Sequence, residues 1–383
     1  METKQALNLI KQEIILKDTK KRNYGIDLLR IISMICIIIL HINLFSNNLK
    51  LDRRDPRYKS SWRLEAMSIW GVNGFGLISG IVGYKNYHFS NVMYIWVQSS
   101  FYSEIFTIYI YYIRKISKKD LILSLFPILI RRHWYVNAYF FLYLFIPFIN
   151  FGINNLNRKT YKYLVIFYFF IYSFYNIAAD CFSGRKNYHF LNYGYSTLWL
   201  LILYIIGGYF GKYVFQENDF LTSKYLIFYS FIYLFSTFVS SESKISETKN
   251  KIPIIRNISF ISYLSPTIVL QAISLIMIFY RLNINNKFFI KIISFFTPLT
   301  FNVTLIHLRI FRERIFQINK IFKWVTNLNS KEMLYKIPLT SFSFYILFAL
   351  LDYLRYLLFN ILRIRKMCLN IEKQFPKLFD VLI

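Results

Sequence analysis

The sequence is built from apolar blocks that recur from Ile26 to the C-terminal part of the chain. A helix of about 20 apolar residues is long enough to cross the hydrocarbon core of a bilayer. A single N-terminal block would suit a signal peptide, but a repeated block does not. Hydrophobic residues, tyrosine included, make up 56% of the chain, and they are concentrated in these blocks. The pattern therefore predicts an all-α, polytopic membrane bundle. The alternating segments of about 10 residues that mark a transmembrane β-barrel are not seen.

About ten spans are expected, with no soluble domain appended to the bundle. They cover residues 24–46, 67–83, 91–113, 134–151, 161–179, 194–212, 221–240, 259–280, 288–311 and 337–361. The apolar stretch 121–130 is too short for a span and is expected to be re-entrant or interfacial. The expected organisation is a basic tail (1–23), a transmembrane domain (24–361) and a basic C-terminal tail (362–383).

The formal net charge is +28, from 47 Lys and Arg against 19 Asp and Glu. The basic residues lie in short loops between spans, which favours contact with anionic lipid headgroups over nucleic acid binding. Loop charge is divided nearly evenly between the two sides. The orientation prediction rests on the basic cluster before the first span, which favours a cytoplasmic N-terminus. With ten spans both termini lie in the cytoplasm, and the expected location is the plasma or inner membrane.

Two ionisable residues, Arg30 and His41, interrupt the first apolar block, "LLRIISMICIIILHI". Ionisable residues within a span are costly and mark functional sites by default. Eleven helical residues complete three turns to within about 20° and rise about 16 Å, so the two side chains share one face. Asp27 precedes Arg30 by three residues and is placed to hold its guanidinium.

A guanidinium near the cytoplasmic interface suits a phosphate or carboxylate ligand, because it stays charged and offers a planar fork of donors. A neutral imidazole in a polar cavity suits general base chemistry near pH 7. The alternative is a snorkelling Arg30 and a His41 that bonds a neighbouring helix. Spacing alone leaves both interpretations open.

Further ionisable residues lie in the later spans. Asp352 and Arg355 are three residues apart and are expected to form a structural pair. Glu104 has no obvious partner in the sequence, and His307 is either a second polar site residue or a histidine that links helices. The three cysteines show no CxxC spacing, so neither a zinc site nor any other metal is expected.

Several segments together resemble the acyltransferase type-3 family of integral membrane proteins. That family has an arginine and a histidine separated by ten residues on its first span, as in "NYGIDLLRIISMICIIILHI". The segment "VNGFGLISGIVGY" is similar to the family's Phe-x-x-Ser-Gly segment. Further similar blocks, some of them typical of the bacterial surface-polysaccharide branch, follow in order at 133–150, 192–213, 262–282 and 304–310.

The chain departs from the family pattern at several places, including the following two. Ile81 follows Ser79 and Gly80 where an aromatic residue is usual. The loop after the third span lacks the family's Arg-x-x-Arg. It offers other basic residues instead: Arg114, Lys115, Arg131 and Arg132.

The resemblance implies a membrane-bound O-acyltransferase, with residues 24–361 as the acyltransferase domain. The donor would be acyl-CoA, usually acetyl-CoA, and the acceptor a hydroxyl of a glycan or lipid-linked glycan. His41 would be the base or the site of a transient acyl group, and Arg30 with Arg114 would bind the donor. Ser79 and Gly80 would shape the donor path, with close helix packing as their alternative role.

Two other classes of membrane protein are alternatives to the acyltransferase. A polysaccharide polymerase or flippase would need large extracytoplasmic loops or two similar lobes, and neither is visible. A small-solute transporter would carry broken helices at matching positions in two halves. The prolines here are scattered without such symmetry.

Overall fold

The chain is described by a computed structural model that covers residues 22–85, 87–114, 117–130, 133–183, 191–215, 220–246 and 260–374. These residues form helices and contain no strand, which confirms the all-α class. The helices are α1 (Tyr24–Phe45), α2 (Arg57–Ser68), α3 (Trp70–Gly83), α4 (Phe89–Arg114), α5 (Lys118–Ser124), α6 (Trp134–Asn154), α7 (Arg158–Phe169), α8 (Tyr175–Ser183), α9 (Thr197–Tyr209), α10 (Ser223–Ile245), α11 (Pro266–Tyr280), α12 (Lys287–Phe296), α13 (Thr300–Glu313), α14 (Ile318–Thr326), α15 (Ser330–Ile361) and α16 (Ile364–Gln374).

In the described part of the chain, 7 helical segments are long and apolar enough to cross a bilayer, so the expected count of ten spans is not confirmed. The segments are Tyr24–Phe45, Arg57–Gly83, Trp134–Asn154, Arg158–Ala179, Thr197–Val214, Lys287–Glu313 and Ser330–Ile361. The expected spans 91–113 and 221–240 correspond to α4 and α10, which are long but rich in Ser and Tyr. The expected span 259–280 contains α11, which is apolar but has 15 residues. The stretch 121–130 lies in α5 and the turns after it.

Helix α1 lies in the middle of the bundle and packs against α2, α3, α11, α13 and α15. Its N-terminus is fixed by Asn23, whose side-chain oxygen accepts a hydrogen bond from Ile26 N at 2.9 Å. The amide nitrogen of Asn23 donates to the Tyr280 carbonyl at the end of α11. A side-chain oxygen that caps an N-terminus satisfies one of the first four backbone N–H groups. Asn23 therefore caps α1 and ties it to α11.

Helices α3 and α9 cross closely because glycines stand where they meet. A Cβ on Gly80 would lie 2.0 Å from the Tyr204 carbonyl oxygen, and a Cβ on Gly207 would lie 2.0 Å from the Leu77 carbonyl oxygen. Small residues let membrane helices approach backbone to backbone. For Gly80 the structure thus supports the packing role, and the crossing fixes the position of the neighbouring Ser79.

The apolar segment Lys287–Glu313 is broken at Pro298. Residues Thr297–Leu299 form a single 3₁₀ turn between α12 and α13. Proline has no N–H to donate and its ring clashes with the preceding turn, so it interrupts a regular helix. Thr297, Pro298 and Thr300 line the cavity described below.

The expected pair on α15 is confirmed. Arg355 Nη2 lies 2.6 Å from Asp352 Oδ2, and both side chains are almost completely buried. The Tyr102 hydroxyl donates to Asp352 Oδ1 at 2.5 Å, and Arg355 Nη1 donates to the Tyr94 hydroxyl at 3.2 Å. A buried pair needs such additional hydrogen bonds to offset desolvation. The pair joins α15 to α4 and is structural.

Candidate active site

A cavity of about 610 Å³ lies between α1, α3, α4, α6 and α13. Its volume is within the range of about 300–1,000 Å³ that small-molecule sites occupy. Helix α1 contributes Arg30, Met34, Ile37 and His41, which recur at spacings of four, three and four residues. Residues three and four apart lie on one helix face. The expected shared face of Arg30 and His41 is therefore confirmed, and both reach one cavity.

His41 is paired with the second candidate histidine. Its Nδ1 lies 2.9 Å from Nε2 of His307, which comes from α13. His307 is fully buried, and its own Nδ1 lies 2.6 Å from the carbonyl oxygen of Val303. His41 is only partly buried and lines the cavity. The structure therefore brings the first and ninth expected spans together through two imidazole rings.

The partners of His307 determine which nitrogens carry hydrogen when both rings are neutral. A carbonyl oxygen can only accept, so Nδ1 of His307 is the protonated nitrogen and its Nε2 is an acceptor. His41 must then donate from Nδ1, which leaves Nε2 as the nitrogen with a free lone pair. None of the described residues bonds that Nε2. His41 is thus arranged to accept a proton from a molecule in the cavity.

The other end of the α1 face is cationic. Arg30 Nη1 lies 2.6 Å from Asp27 Oδ1, while Arg22 Nε lies 2.5 Å from Asp27 Oδ2. Asp27 is 4% exposed and holds both guanidinium groups from one carboxylate. Asp27 thus has the positioning role that the sequence suggested, and the cluster keeps a net positive charge. An anion at this end would meet donors already held in place.

Aromatic rings line the wall at the His41 end. The Trp134 and Tyr195 ring centroids are 4.6 Å apart, and those of Tyr195 and Tyr263 are 5.0 Å apart. Trp134 and Tyr263 line the cavity directly. His133, which precedes Trp134, is close enough to interact electrostatically with His41. The wall near His41 therefore offers flat apolar surfaces.

Ser79 lines the middle of the cavity. Its hydroxyl donates to the Phe75 carbonyl oxygen at 2.8 Å and lies 3.0 Å from the Tyr139 hydroxyl. Tyr139 stacks on Tyr135 with centroids 5.8 Å apart. Both tyrosines line the cavity as well. Ser79 therefore helps to hold a row of tyrosine side chains on α6.

The remaining candidate residues do not meet in the cavity. Gly80 packs against α9, as described above. Glu104 accepts a hydrogen bond from the Ser124 hydroxyl at 2.6 Å, which ties α4 to the short helix α5, and it does not line the cavity. Arg114 is the last residue of α4, and its side chain lies outside the described part of the chain. Lys115, Arg131 and Arg132 also lie outside the described residues.

The structure adds a face of α4 that the sequence reasoning missed. Asn91, Tyr94, Ile95 and Gln98 line the cavity and recur at helical spacing. Polar residues that repeat every three or four positions within an apolar segment are a signal that could have identified this face. Arg365 on α16 also lines the cavity and gave no such signal, because it lies among many basic residues of the tail.

Tyr87 lines the cavity in the loop before α4. Burial, together with the nearby Glu372 carboxylate, raises the pKa of Tyr87 to about 12. Its ring lies 6.4 Å from that of Tyr143, which in turn interacts electrostatically with Arg30. Tyr87 therefore stays a neutral hydroxyl at neutral pH, on the Arg30 side of the cavity.

Comparison with known proteins identifies one protein family. The sequence model of an acyltransferase domain matches residues 23–360, which span both histidines, Arg30 and the whole wall of α1, α3, α4, α6 and α13. The searches of curated proteins and of solved structures each found no match. Because the match covers most of the chain and includes the cavity, the chain belongs to the acyltransferase type-3 family and is a membrane acyltransferase.

Proposed function

We propose that this acyltransferase moves an acyl group, acetyl in the simplest case, from acyl-CoA to a hydroxyl of a cell-surface or exported glycan. The observation that carries the proposal is the His41–His307 pair in a cavity whose other end holds Arg30. One end thus carries a base with a free lone pair, and the other carries fixed cationic donors. Both features suit group transfer from an anionic donor to a hydroxyl.

The donor is proposed to enter at the Arg30 end. Coenzyme A is a polyanion, and the Arg30–Asp27–Arg22 cluster offers guanidinium donors there. Arg30 and His41 are about 16 Å apart along α1. The pantetheine arm separates the diphosphate from the thioester by a comparable distance. Acyl-CoA is made in the cytoplasm, so we assign this end, and with it both termini, to the cytoplasmic side of the plasma or inner membrane.

The proposed reaction is a direct transfer with His41 as general base. Nε2 takes the proton of the acceptor hydroxyl as its oxygen attacks the thioester carbonyl carbon. The carbon–sulfur bond breaks, and the departing thiolate takes the proton from Nε2. Nδ1–H stays bonded to His307 Nε2 and supports the transient imidazolium. The products are an ester and free coenzyme A.

The acceptor is proposed to bind among the aromatic rings near His41. Sugar rings present apolar faces that pack well on flat aromatic side chains, and Trp134 and Tyr263 offer such faces beside the cavity. The tyrosine hydroxyls of this wall can also bond sugar hydroxyls. Both features favour a glycan or lipid-linked glycan over a purely aliphatic acceptor.

The proposal is tested by acyl transfer in membrane vesicles. Vesicles with the wild-type chain are supplied with acetyl-labelled coenzyme A, and base-labile label is counted in the glycan fraction. His41→Ala should reduce transfer by about 10²- to 10⁴-fold, the usual contribution of general base catalysis. Cys36→Ala is the matched control, because Cys36 lies on α1 but does not line the cavity, and it should transfer normally.

Three outcomes would contradict one part of the proposal each. Equal transfer by His41→Ala and wild type would remove His41 from the mechanism. Absence of label in the glycan fraction of wild-type vesicles, with label found in another acceptor, would refute the glycan assignment. Label retained on the wild-type protein without acceptor, and absent from His41→Ala, would replace direct transfer by a transient acyl group on His41.

A further inference from the structure

The helix that follows the last span is fastened to the Arg30 side of the cavity. Helix α16 packs against α4, and the Glu372 carboxylate accepts a hydrogen bond from the backbone N–H of Phe89 at 2.6 Å. The same carboxylate lies 3.9 Å from Nδ1 of His88. A carboxylate at the first turn of a helix is stabilised by the unpaired N–H groups and the dipole. These contacts make α16 part of the cavity wall.

Arg365 is the residue of α16 that faces the cavity. Its Nη2 donates to Asn91 Oδ1 at 2.8 Å, and its guanidinium lies over the Tyr94 ring at 5.1 Å from the centroid. Asn91 and Tyr94 line the cavity with it. The two contacts hold the planar group in place while leaving most of its five N–H donors unused. Arg365 is thus oriented before any ligand arrives.

Arg365 and Arg30 differ in whether a carboxylate neutralises the guanidinium. Arg30 shares the Asp27 carboxylate with Arg22. Among the described residues, no carboxylate forms an ion pair with Arg365. An exposed guanidinium that is stacked and unneutralised is well suited to bind phosphate, because its fork can form two parallel hydrogen bonds.

We propose that Arg365 is a second phosphate-binding residue and that it binds the ribose phosphate of coenzyme A, while Arg30 binds the diphosphate. The proposal rests on the proposed acyl-CoA donor. Arg30 lies on the central helix α1, on the same face as His41. Arg365 lies on the exposed outer helix α16. The nucleotide end of the donor is the end farthest from the thioester. Arg365, on the outer helix, is therefore placed to bind the ribose phosphate at the nucleotide end of coenzyme A.

The test compares coenzyme A with its analogue that lacks the ribose 3′-phosphate, dephospho-coenzyme A. Binding of each to the full chain in lipid nanodiscs is measured by calorimetry. The wild type should bind coenzyme A about tenfold more tightly than the analogue, the scale of one charge-assisted phosphate contact. Arg365→Ala should bind both equally. Arg365→Lys keeps the charge but not the fork and should show an intermediate preference.

Lys366→Ala is the matched control, because Lys366 is exposed on the same helix and does not line the cavity. It should keep the wild-type preference. A preference retained in Arg365→Ala, or lost equally in Lys366→Ala, would overturn the assignment to Arg365. A wild type that binds neither compound would instead remove the acyl-CoA donor itself, so the two failures are distinguishable. Thermal unfolding of each variant, with Arg365→Lys as the milder change, separates lost binding from lost folding.

Discussion

At the scale of single residues, His307 determines how His41 can act. The Val303 carbonyl fixes the hydrogen on Nδ1 of His307, and His307 in turn fixes the hydrogen on Nδ1 of His41. This chain of two hydrogen bonds holds the His41 ring in one orientation and one tautomer, because the hydrogen bond at one ring nitrogen determines which nitrogen is protonated. His307 is buried and does not line the cavity, so it is a positioning residue.

Replacement of His307 should reduce transfer without removing donor binding. His307→Leu removes the acceptor that supports the transient imidazolium of His41. A hydrogen bond to a charged group contributes about 1.5–3 kcal/mol, so the rate should fall by about 10- to 150-fold. His307→Gln keeps an oxygen that can accept from Nδ1 and should restore much of the rate. Transfer rates and thermal unfolding are measured for both variants. Equal loss in the two variants, at equal stability, would contradict the positioning role.

The residues that could be predicted are those joined by local geometry. Helix periodicity placed Arg30 and His41 on one face, and the three-residue spacing identified the Asp352–Arg355 and Asp27–Arg30 pairs. The His41–His307 contact spans 266 positions and depends on how two distant helices pack, which no local pattern encodes. Arg365 could not be predicted for the same reason.

At the scale of helices, the α3–α9 crossing holds α3, which forms one wall of the cavity, in place. Gly80 faces the backbone of α9, while the preceding Ser79 faces the tyrosines of α6. Adjacent residues on a helix point about 100° apart, so one segment can pack on one side and line a cavity on the other. The family resemblance identified this segment, but only the three-dimensional packing separates the roles of its two residues.

A methyl group at this crossing should destabilise the bundle. In Gly80→Ala the new Cβ would lie 2.0 Å from the Tyr204 carbonyl oxygen and 2.8 Å from the Gly208 nitrogen, and backbone cannot move aside cheaply. Overpacking of this kind costs about 1–3 kcal/mol, which should lower the melting temperature in detergent. Gly152→Ala is the matched control, because a Cβ there meets nothing within 4 Å. A Gly80→Ala protein as stable as the Gly152→Ala protein would show that the helices do not cross this closely.

At the scale of the whole molecule, one cavity connects residues from distant parts of the chain. Its lining runs from Arg30 on α1 to Arg365 on α16, with the aromatic wall of α6 and the break before α13 between them. The apolar blocks predicted a helical bundle because a backbone that crosses lipid must satisfy its own N–H and C=O groups, and a helix does so within one segment. The number of helices that qualify as spans was less predictable, since α4 and α10 replace apolar residues by Ser and Tyr.

The most direct test of the proposed acyl-CoA site is a structure of the wild-type chain in nanodiscs with a thioether analogue of acetyl-CoA, which binds but cannot transfer its acyl group. We predict that the analogue occupies the 610 Å³ cavity. Its diphosphate should lie on Arg30 and its sulfur next to Nε2 of His41. An analogue bound outside this cavity, or bound in it with its sulfur remote from His41, would contradict the assignment of Arg30 and His41 to donor binding and catalysis.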